Sequence, residues 1–317
     1  MNNFNIPIAT PKLASSIVMC RPFHFGFNQQ TGADNTFQHN TNSPEQVQKQ
    51  AMKEFDNAVS SLQNIGVEVL ILEHPINQNL PDAIFPNNWF TTHSSGELLL
   101  YPMKTPNRQL EVEPERLKNL FVEAGYEVNN IIRLDQQANS RVLEGTGAIV
   151  FDHWQHQAFA GLSERCDVDL FNQLCDSLNY SPISFKTAGS EAIPFYHTNV
   201  MLSIGHQFSV ICSDAIDNNQ RSSVINQLQS SDKTIIDVSL EQAEQSFCCN
   251  ILQLENCSGE SIIAMSKSAY NGFNNQQVRQ LEKLGSLLIA DIPTIEYIGG
   301  GSLRCMMAEN FLPRLTP

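Results

Sequence analysis

The stretch GGGSLRC (Gly299–Cys305) carries the most information about the fold, because it places a thiol shortly after three consecutive glycines. Glycine has no side chain, so such a turn lets the backbone and a bound small molecule approach each other closely. A cysteine thiolate is a strong nucleophile in covalent catalysis. The same glycines are less typical of a phosphate loop, because no helix signal and no Lys-Ser/Thr pair follows them. Cys305 is therefore the candidate nucleophile.

Polar side chains interrupt three other apolar segments, which are LPDAIFPNNWF (80–90), LEGTG (143–147) and YHTNV (196–200). Asp82 and Asn88 lie in the first of these segments, and Glu144 stands directly before a glycine in the second. His197 and Asn199 alternate in the third, which predicts that both point to one face of an extended segment. Each residue alone has an ordinary structural explanation as a turn or core residue. Together they supply a thiol, a histidine and a carboxylate, the groups that cysteine hydrolysis requires.

Composition limits the class of function. The chain has 317 residues, of which 41% are hydrophobic and 16% charged, and its formal net charge is −14. This charge argues against nucleic acid and anionic membranes as partners. No segment approaches the roughly 18 apolar residues of a membrane span, and Met1–Leu13 does not resemble a signal peptide. The eight cysteines form no CxxC pair and no zinc-ligand pattern, so we expect reduced thiols in a cytoplasmic protein without a metal.

Short apolar runs alternate with longer amphipathic stretches and predict an α/β protein. The predicted strands are 16–20, 67–72, 98–101, 147–151, 200–204, 208–212, 251–254, 261–265 and 287–290, and the predicted helices are 44–64, 114–124, 167–178, 216–228 and 274–284. A unit of two or three strands and one helix recurs about five times, at a spacing of roughly 50 to 60 residues. No linker divides the chain, so we predict one domain over residues 1–317.

These motifs resemble, in order, those of the pentein superfamily of arginine deiminases, dimethylargininases and amidinotransferases. LPDAIFPNN is similar to the first acidic substrate-binding segment, LEGTG to the carboxylate–glycine turn, and HTN to the usual His-x-Asp. Gly161–Arg165 (GLSER) is similar to the family's GLS-x-R segment, and GGGSLRC to its C-terminal cysteine motif. The resemblance covers roughly residues 16–311 and implies a five-bladed α/β propeller. It also implies a small amino-acid substrate and no cofactor.

The resemblance further implies roles for particular residues. Cys305 would be the nucleophile, His197 its acid–base partner, and Glu144 the carboxylate that supports His197. Arg165 and, on a looser alignment, Arg108 would bind the substrate α-carboxylate. Asp82 would bind the α-ammonium group or have a structural role, and Asn35 would close over the substrate or lie in a surface loop.

The sequence departs from the arginine deiminases at Asn88 and Asn199, where those enzymes use two aspartates to hold a cationic guanidinium. Carboxamides carry no charge and supply N–H donors, so they suit a neutral ureido group better than a buried cation. The segments 80–90 and 197–199 also resemble those of citrulline hydrolases. We therefore predict hydrolysis of L-citrulline to ornithine, carbon dioxide and ammonia.

Two alternatives remain open at this point. One is a deiminase or dimethylargininase that acts on a guanidino substrate. The other is a non-catalytic pentein that binds a macromolecule, which the retained Cys305, His197 and Glu144 argue against. The oligomeric state is also open, and a homodimer is compatible with the sequence.

Overall fold

The computed structural model describes residue 6 and residues 12–32, 35–41, 43–229 and 233–315. The prediction that Met1–Leu13 is not a signal peptide concerns residues that mostly lie outside this part of the chain. The strands are β1 (Ser16–Cys20), β2 (Glu68–Leu72), β3 (Phe90–Thr92), β4 (Glu97–Leu100), β5 (Asn130–Arg133), β6 (Val150–Asp152), β7 (Gln157–Leu162), β8 (Ser181–Lys186), β9 (Leu202–Ile204), β10 (Phe208–Ile211), β11 (Thr234–Asp237), β12 (Leu252–Glu255), β13 (Ser261–Ser266), β14 (Ser286–Ala290) and β15 (Ala308–Asn310).

These strands form five three-stranded sheets, in the orders β3-β4-β5, β6-β7-β8, β9-β10-β11, β12-β13-β14 and β15-β1-β2. In every sheet the first two strands are antiparallel and the last two are parallel. Helices connect the two parallel strands, as such a crossover requires. The first strands begin at residues 90, 150, 202, 252 and 308. The predicted recurrence of a strand-rich unit is therefore confirmed, as is the mixed α/β class.

The helices are α1 (Pro44–Asn64), α2 (Pro106–Gln109), α3 (Pro114–Glu123), α4 (Leu134–Gln137), α5 (Gly145–Ala148), α6 (Val168–Leu178), α7 (Asn218–Gln229), α8 (Leu240–Ser246), α9 (Lys267–Gly272), α10 (Asn275–Glu282) and α11 (Pro293–Gly299). All five predicted helices are present. Helix α1 shows why the prediction succeeds: Pro44 occupies its first turn, and Ala51, Phe55, Ala58 and Leu62 form a buried stripe at helical spacing. In the described residues no helix is long and apolar enough to cross a membrane.

Two local predictions were wrong. Gly147 was assigned to a strand over residues 147–151, but the glycine turn forms the short helix α5 and the strand β6 begins only at Val150. The segment with His197 and Asn199 was expected to be extended, yet Thr198–Val200 is a 3₁₀ turn. A 3₁₀ turn also spans Pro86–Asn88, and another spans Leu303–Met306. In each case the chain folds tightly just before a strand, and that position is where the polar residues lie.

Candidate active site

The site residues occupy equivalent positions in different sheets. Asn88 precedes β3, Asn199 precedes β9 and Cys305 precedes β15, each by two or three residues, and Gly147 stands in the same relation to β6. Asn250 has this position before β12. Because the five sheets share one strand order, this single position in each unit supplies the groups that meet around the thiol.

Cys305 is buried, with 3% of its surface exposed, and lies in the 3₁₀ turn that follows the triple glycine. Gly300 ends helix α11 in the left-handed region, with φ of 61°, which favours glycine. A side chain there would also collide with Asn35 and Gln38, which cover the turn. The hydroxyl of Tyr196 donates to the Gly300 carbonyl at 2.6 Å. The turn that carries the nucleophile is therefore held from both sides.

Two carboxamides surround the sulfur. Asn250 Nδ2 lies 3.3 Å from Cys305 Sγ, and Asn199 Nδ2 lies 3.6 Å from it. Burial raises the pKa of the thiol above its ordinary value, while hydrogen bonds from the two carboxamides act in the opposite direction. Burial thus favours the neutral thiol over the thiolate, and the thiol must lose its proton before it can attack.

His197 and Glu144 form a buried pair. His197 Nε2 lies 2.7 Å from Glu144 Oε2, and the carboxylate also accepts from Arg165 Nη1 at 3.1 Å and from the backbone N–H of Lys104 at 3.0 Å. Burial opposes ionisation of Glu144, but Arg165 and His197 outweigh it, so the carboxyl pKa lies below its ordinary value. Burial also lowers the pKa of His197, against the opposing effect of Glu144. A neutral imidazole oriented by a carboxylate is an effective proton acceptor.

Gly147 allows this imidazole to approach Asn88. An added Cβ at Gly147 would lie under 3.0 Å from Asn88 Nδ2 and from His197 Nδ1 and Cε1. Only a residue without a side chain at position 147 therefore leaves room for both Asn88 and His197.

Arg108 makes several hydrogen bonds within the protein. Its guanidinium bonds Glu111 at 2.8 to 3.2 Å and the Phe85 carbonyl at 2.9 Å, and its Nη1 donates to Asn88 Oδ1 at 2.6 Å. Burial opposes the charge of Arg108, but Glu111 raises its pKa above the ordinary value. The structure thus directs Arg108 towards Asn88. Its predicted contact with the substrate carboxylate stays a prediction that these bonds do not favour.

Asp82 is also buried. Its Oδ2 accepts from Asn28 Nδ2 at 2.7 Å and from Thr31 Oγ1 at 2.8 Å, whereas Oδ1 has no hydrogen-bond partner. A carboxylate oxygen in this state can accept from a positively charged group of a ligand. Its predicted role towards the α-ammonium group is compatible with this arrangement.

One small cavity joins most of the predicted residues. It is lined by Asn35, Gln38, Asp82, Phe85, Asn88, Arg108, Arg165, Tyr196, His197, Gly299, Gly301 and Cys305. Glu144 reaches this group through His197 and Arg165, and Asn199 through Cys305. The structure therefore brings together Asn35 and the eight other candidate residues, while their individual roles stay predictions.

Comparison with known proteins identifies the family. A family model described as "N,N dimethylarginine dimethylhydrolase, eukaryotic" matches residues 21–312. The chain belongs to this dimethylarginine dimethylhydrolase family. The protein is thus a hydrolase that acts on carbon–nitrogen bonds, which confirms the predicted enzyme class and the pentein relationship. The non-catalytic alternative is not supported. A comparison with curated proteins found no match.

Several solved structures share the family fold. The N-terminal domain of ArgZ, an arginine dihydrolase from Cyanobacteria, was solved as a mutant with substrate bound; it matches with a TM-score of 0.69 at 18% identity, covering 94% of this chain and 99% of that one. Unliganded AgrE matches with 0.70 at 18%, covering 95% of this chain but 39% of that one, so this chain spans about two fifths of AgrE. A mutant dimethylarginine dimethylaminohydrolase with an S-methyl-L-thiocitrulline adduct matches with 0.64 at 12%, covering 94% and 100%. At these identities the likeness shows the fold alone.

Two residues of the site in this dimethylarginine dimethylhydrolase family member were not predicted from the sequence. Asn250 was not singled out, although it precedes its strand as Asn88 and Asn199 precede theirs. The repeated position was the signal that could have found it. Glu111 was also missed, because nothing in the sequence distinguishes its carboxylate from that of the nearby Glu113.

Proposed function

We propose that the protein is a cysteine hydrolase that converts L-citrulline to L-ornithine. The observation that carries this proposal is the orientation of the Asn88 carboxamide. Arg108 has only N–H donors, so the Asn88 atom that it contacts must be the oxygen. Asn88 Nδ2 is then left buried without a hydrogen-bond partner. A buried donor without a partner is costly, and a ligand oxygen would satisfy it.

A ureido group has such an oxygen, and a guanidinium group does not. The carbonyl oxygen of citrulline would accept from Asn88 Nδ2, and the interaction would strengthen as negative charge develops on that oxygen during attack. A guanidinium nitrogen in the same place would bring its own N–H against a donor. The second departure, Asn199, also adds no negative charge beside the sulfur. Both features support a neutral substrate.

The proposed reaction has two covalent steps. His197 takes the thiol proton, and Cys305 Sγ attacks the ureido carbon. The imidazolium then protonates the δ-nitrogen, the bond from this nitrogen to the carbon breaks, and ornithine leaves an S-carbamoyl cysteine. His197 next takes a proton from water, which attacks the carbamoyl carbon. The carbon–sulfur bond breaks, the thiol regains a proton, and the released carbamate decomposes to ammonia and carbon dioxide. Glu144 stabilises the imidazolium in both steps.

Hydrolysis of a guanidino substrate is the second candidate, and the comparisons favour it over citrulline. The family description names dimethylarginine, and ArgZ is an arginine dihydrolase. The free oxygen of Asp82 is the feature of this site that would best suit a cationic group. In that case ammonia or a methylated amine would be released, with citrulline or ornithine as the amino-acid product.

The wider architecture is part of the same proposal. We infer that the five sheets are the blades of an α/β propeller in a single catalytic domain, with Asn88, Gly147, Asn199, Asn250 and Cys305 at one end of its centre. Their equivalent positions before the first strands support this arrangement. A cytoplasmic location and a homodimer stay predictions.

A product assay tests the proposal. The purified protein receives L-citrulline, L-arginine or asymmetric dimethylarginine in parallel, with C305A as the control, and products are identified by mass spectrometry. We expect ornithine from citrulline, no product from the other two substrates, and no turnover by C305A. Product from arginine or dimethylarginine but not from citrulline would support the second candidate and refute the argument from Asn88.

A further inference from the structure

Asn250 is a fully buried polar residue outside every predicted motif. It follows Phe247, which adopts the left-handed conformation with φ of 54°, and its backbone N–H donates to the Phe247 carbonyl at 2.8 Å. A non-glycine residue in that region is uncommon, and here it turns the chain so that Asn250 points at the thiol. The turn at Phe247 therefore fixes the position of the Asn250 side chain.

Both amide protons of Asn250 have a hydrogen-bond acceptor. Nδ2 donates to the Asn199 carbonyl at 2.9 Å, which fixes the orientation of the amide, and its second proton is directed at Cys305 Sγ at 3.3 Å. Asn199 has the matching arrangement, since its Nδ2 donates to the Thr146 carbonyl at 3.1 Å and lies 3.6 Å from the sulfur. The sulfur therefore faces two donors whose directions are set by backbone carbonyls.

A carboxamide at this position can form a hydrogen bond with the sulfur in both of its protonation states. The thiolate accepts from Nδ2, and the thiol can donate to Asn250 Oδ1 at 3.6 Å or Asn199 Oδ1 at 3.8 Å. Among the described residues, these two carboxamides are the side chains recorded within hydrogen-bond distance of the sulfur. A buried anion without donors is strongly disfavoured. Formation of the nucleophile therefore depends on Asn250 and Asn199.

We propose that Asn250 is a positioning residue for the nucleophile, which stabilises the Cys305 thiolate and fixes the direction of the sulfur. This inference rests on the proposed role of Cys305 but not on the identity of the substrate. Asn250 is the closer of the two donors, and hydrogen bonding from it is the largest influence that opposes the effect of burial on the thiol pKa. It acts through Cys305, without any assigned contact to substrate.

The test measures the thiol directly. Cys257 is the exposed cysteine, and the other seven are buried, so a C257S background leaves Cys305 as the thiol that opens into the cavity. The rate of Cys305 alkylation by iodoacetamide is followed from pH 6 to pH 11 by peptide mass spectrometry. N250A and N250D are compared with the control N310A, because Asn310 is also buried but bonds Ser16 rather than the sulfur.

We expect N250A to raise the midpoint of the profile by about one pH unit, which lowers the alkylation rate at pH 8 about tenfold. N250D should raise it further, because a carboxylate cannot donate and opposes the thiolate charge. N310A should leave it unchanged. Apart from the carboxylate that N250D itself adds, the titratable or charged groups that face Cys305 or line its cavity are the same in all variants; they are Tyr196, His197, Arg304, Arg165, Arg108 and Asp82.

An unchanged midpoint in N250A, or one that matches N310A, would overturn the proposal. If N250A does not fold by circular dichroism, N250D carries the test because it preserves the size of the side chain; an unchanged or lowered midpoint in N250D would also overturn the proposal. No substrate is present in the assay. A failure here is therefore distinguishable from a failure of the proposed reaction, which turnover by C305A would reveal.

Discussion

Replacing Glu111 with glutamine removes the carboxylate that neutralises the buried Arg108 guanidinium. Three nitrogen–oxygen contacts of 2.8 to 3.2 Å join the two side chains, which are 2% and 0% exposed. Glutamine keeps the size of the side chain but not its charge. The variant therefore leaves a desolvated cation beside the active site, next to the oxygen of Asn88.

The magnitude follows from the burial of the pair. Removing one partner of a buried ion pair costs about 3–5 kcal/mol. At about 2.1 cal/mol/K per residue, the unfolding entropy of a 317-residue chain is about 0.7 kcal/mol/K. The melting temperature of E111Q should therefore fall by about 4–8 °C. Loosening the Arg108–Asn88 bond, a charged hydrogen bond of roughly 1.5–3 kcal/mol, should also lower kcat/KM about tenfold to a hundredfold.

Calorimetry and citrulline turnover measure the two effects. E113Q is the matched control, because Glu113 contacts His74 and Arg116 where its side chain is 22% exposed, and exposed pairs contribute at most about 1 kcal/mol. The double variant R108M/E111L removes both charges and should be more stable than E111Q. An E111Q melting temperature equal to that of the wild type, or an equal loss of stability in E113Q, would refute the assigned role of Glu111.

Three further predictions concern the buried pair of His197 and Glu144. G147A should lower kcat by about a hundredfold or more, because its Cβ would displace Asn88 and His197. The control is G26A, because a Cβ added there would meet nothing within 4 Å, and it should leave kcat unchanged in the same turnover assay. E144Q should lower kcat about 10²- to 10⁴-fold through loss of imidazolium stabilisation; a loss under fivefold in steady-state kinetics would contradict the assigned role. The lowered pKa of His197 means that its stabilising contribution is present above about pH 6.5 and is lost as the pH falls through the folded pKa. Denaturant titrations should therefore show that the wild type loses more stability than H197Q between pH 7 and pH 5, and equal losses would contradict this.

The sequence predicts those parts of the fold in which burial and periodicity agree. Helix α1 has a clear apolar stripe and a proline at its start, so its predicted range equals the observed one. Strands β3 and β15 have three residues each, and β8 and β11 carry polar or exposed residues, so neither length nor alternation identified them. Their partners in the sheet stabilise them, and those contacts come from distant parts of the chain.

The site was predicted to a similar extent. The residue types of Cys305, His197 and Glu144 pointed to their chemistry, and the structure brings them together. The direction of Arg108 was not predictable, because it depends on Glu111 and on the carbonyl of Phe85 in the fold. Equally, sequence spacing suggested an extended segment around His197, while the tight turn is set by packing against α5.

The sheet β15-β1-β2 pairs Ser16–Val18 with Ala308–Asn310 and so joins two distant parts of the chain. During synthesis the first of these strands leaves the ribosome long before its antiparallel partner exists, and closing so long a loop is slow in folding. Strand β15 directly follows the turn that carries Cys305. Nascent chains that have not reached residue 310 lack the strand that follows the thiol, and we expect the thiol to become reactive only after this strand has been synthesised.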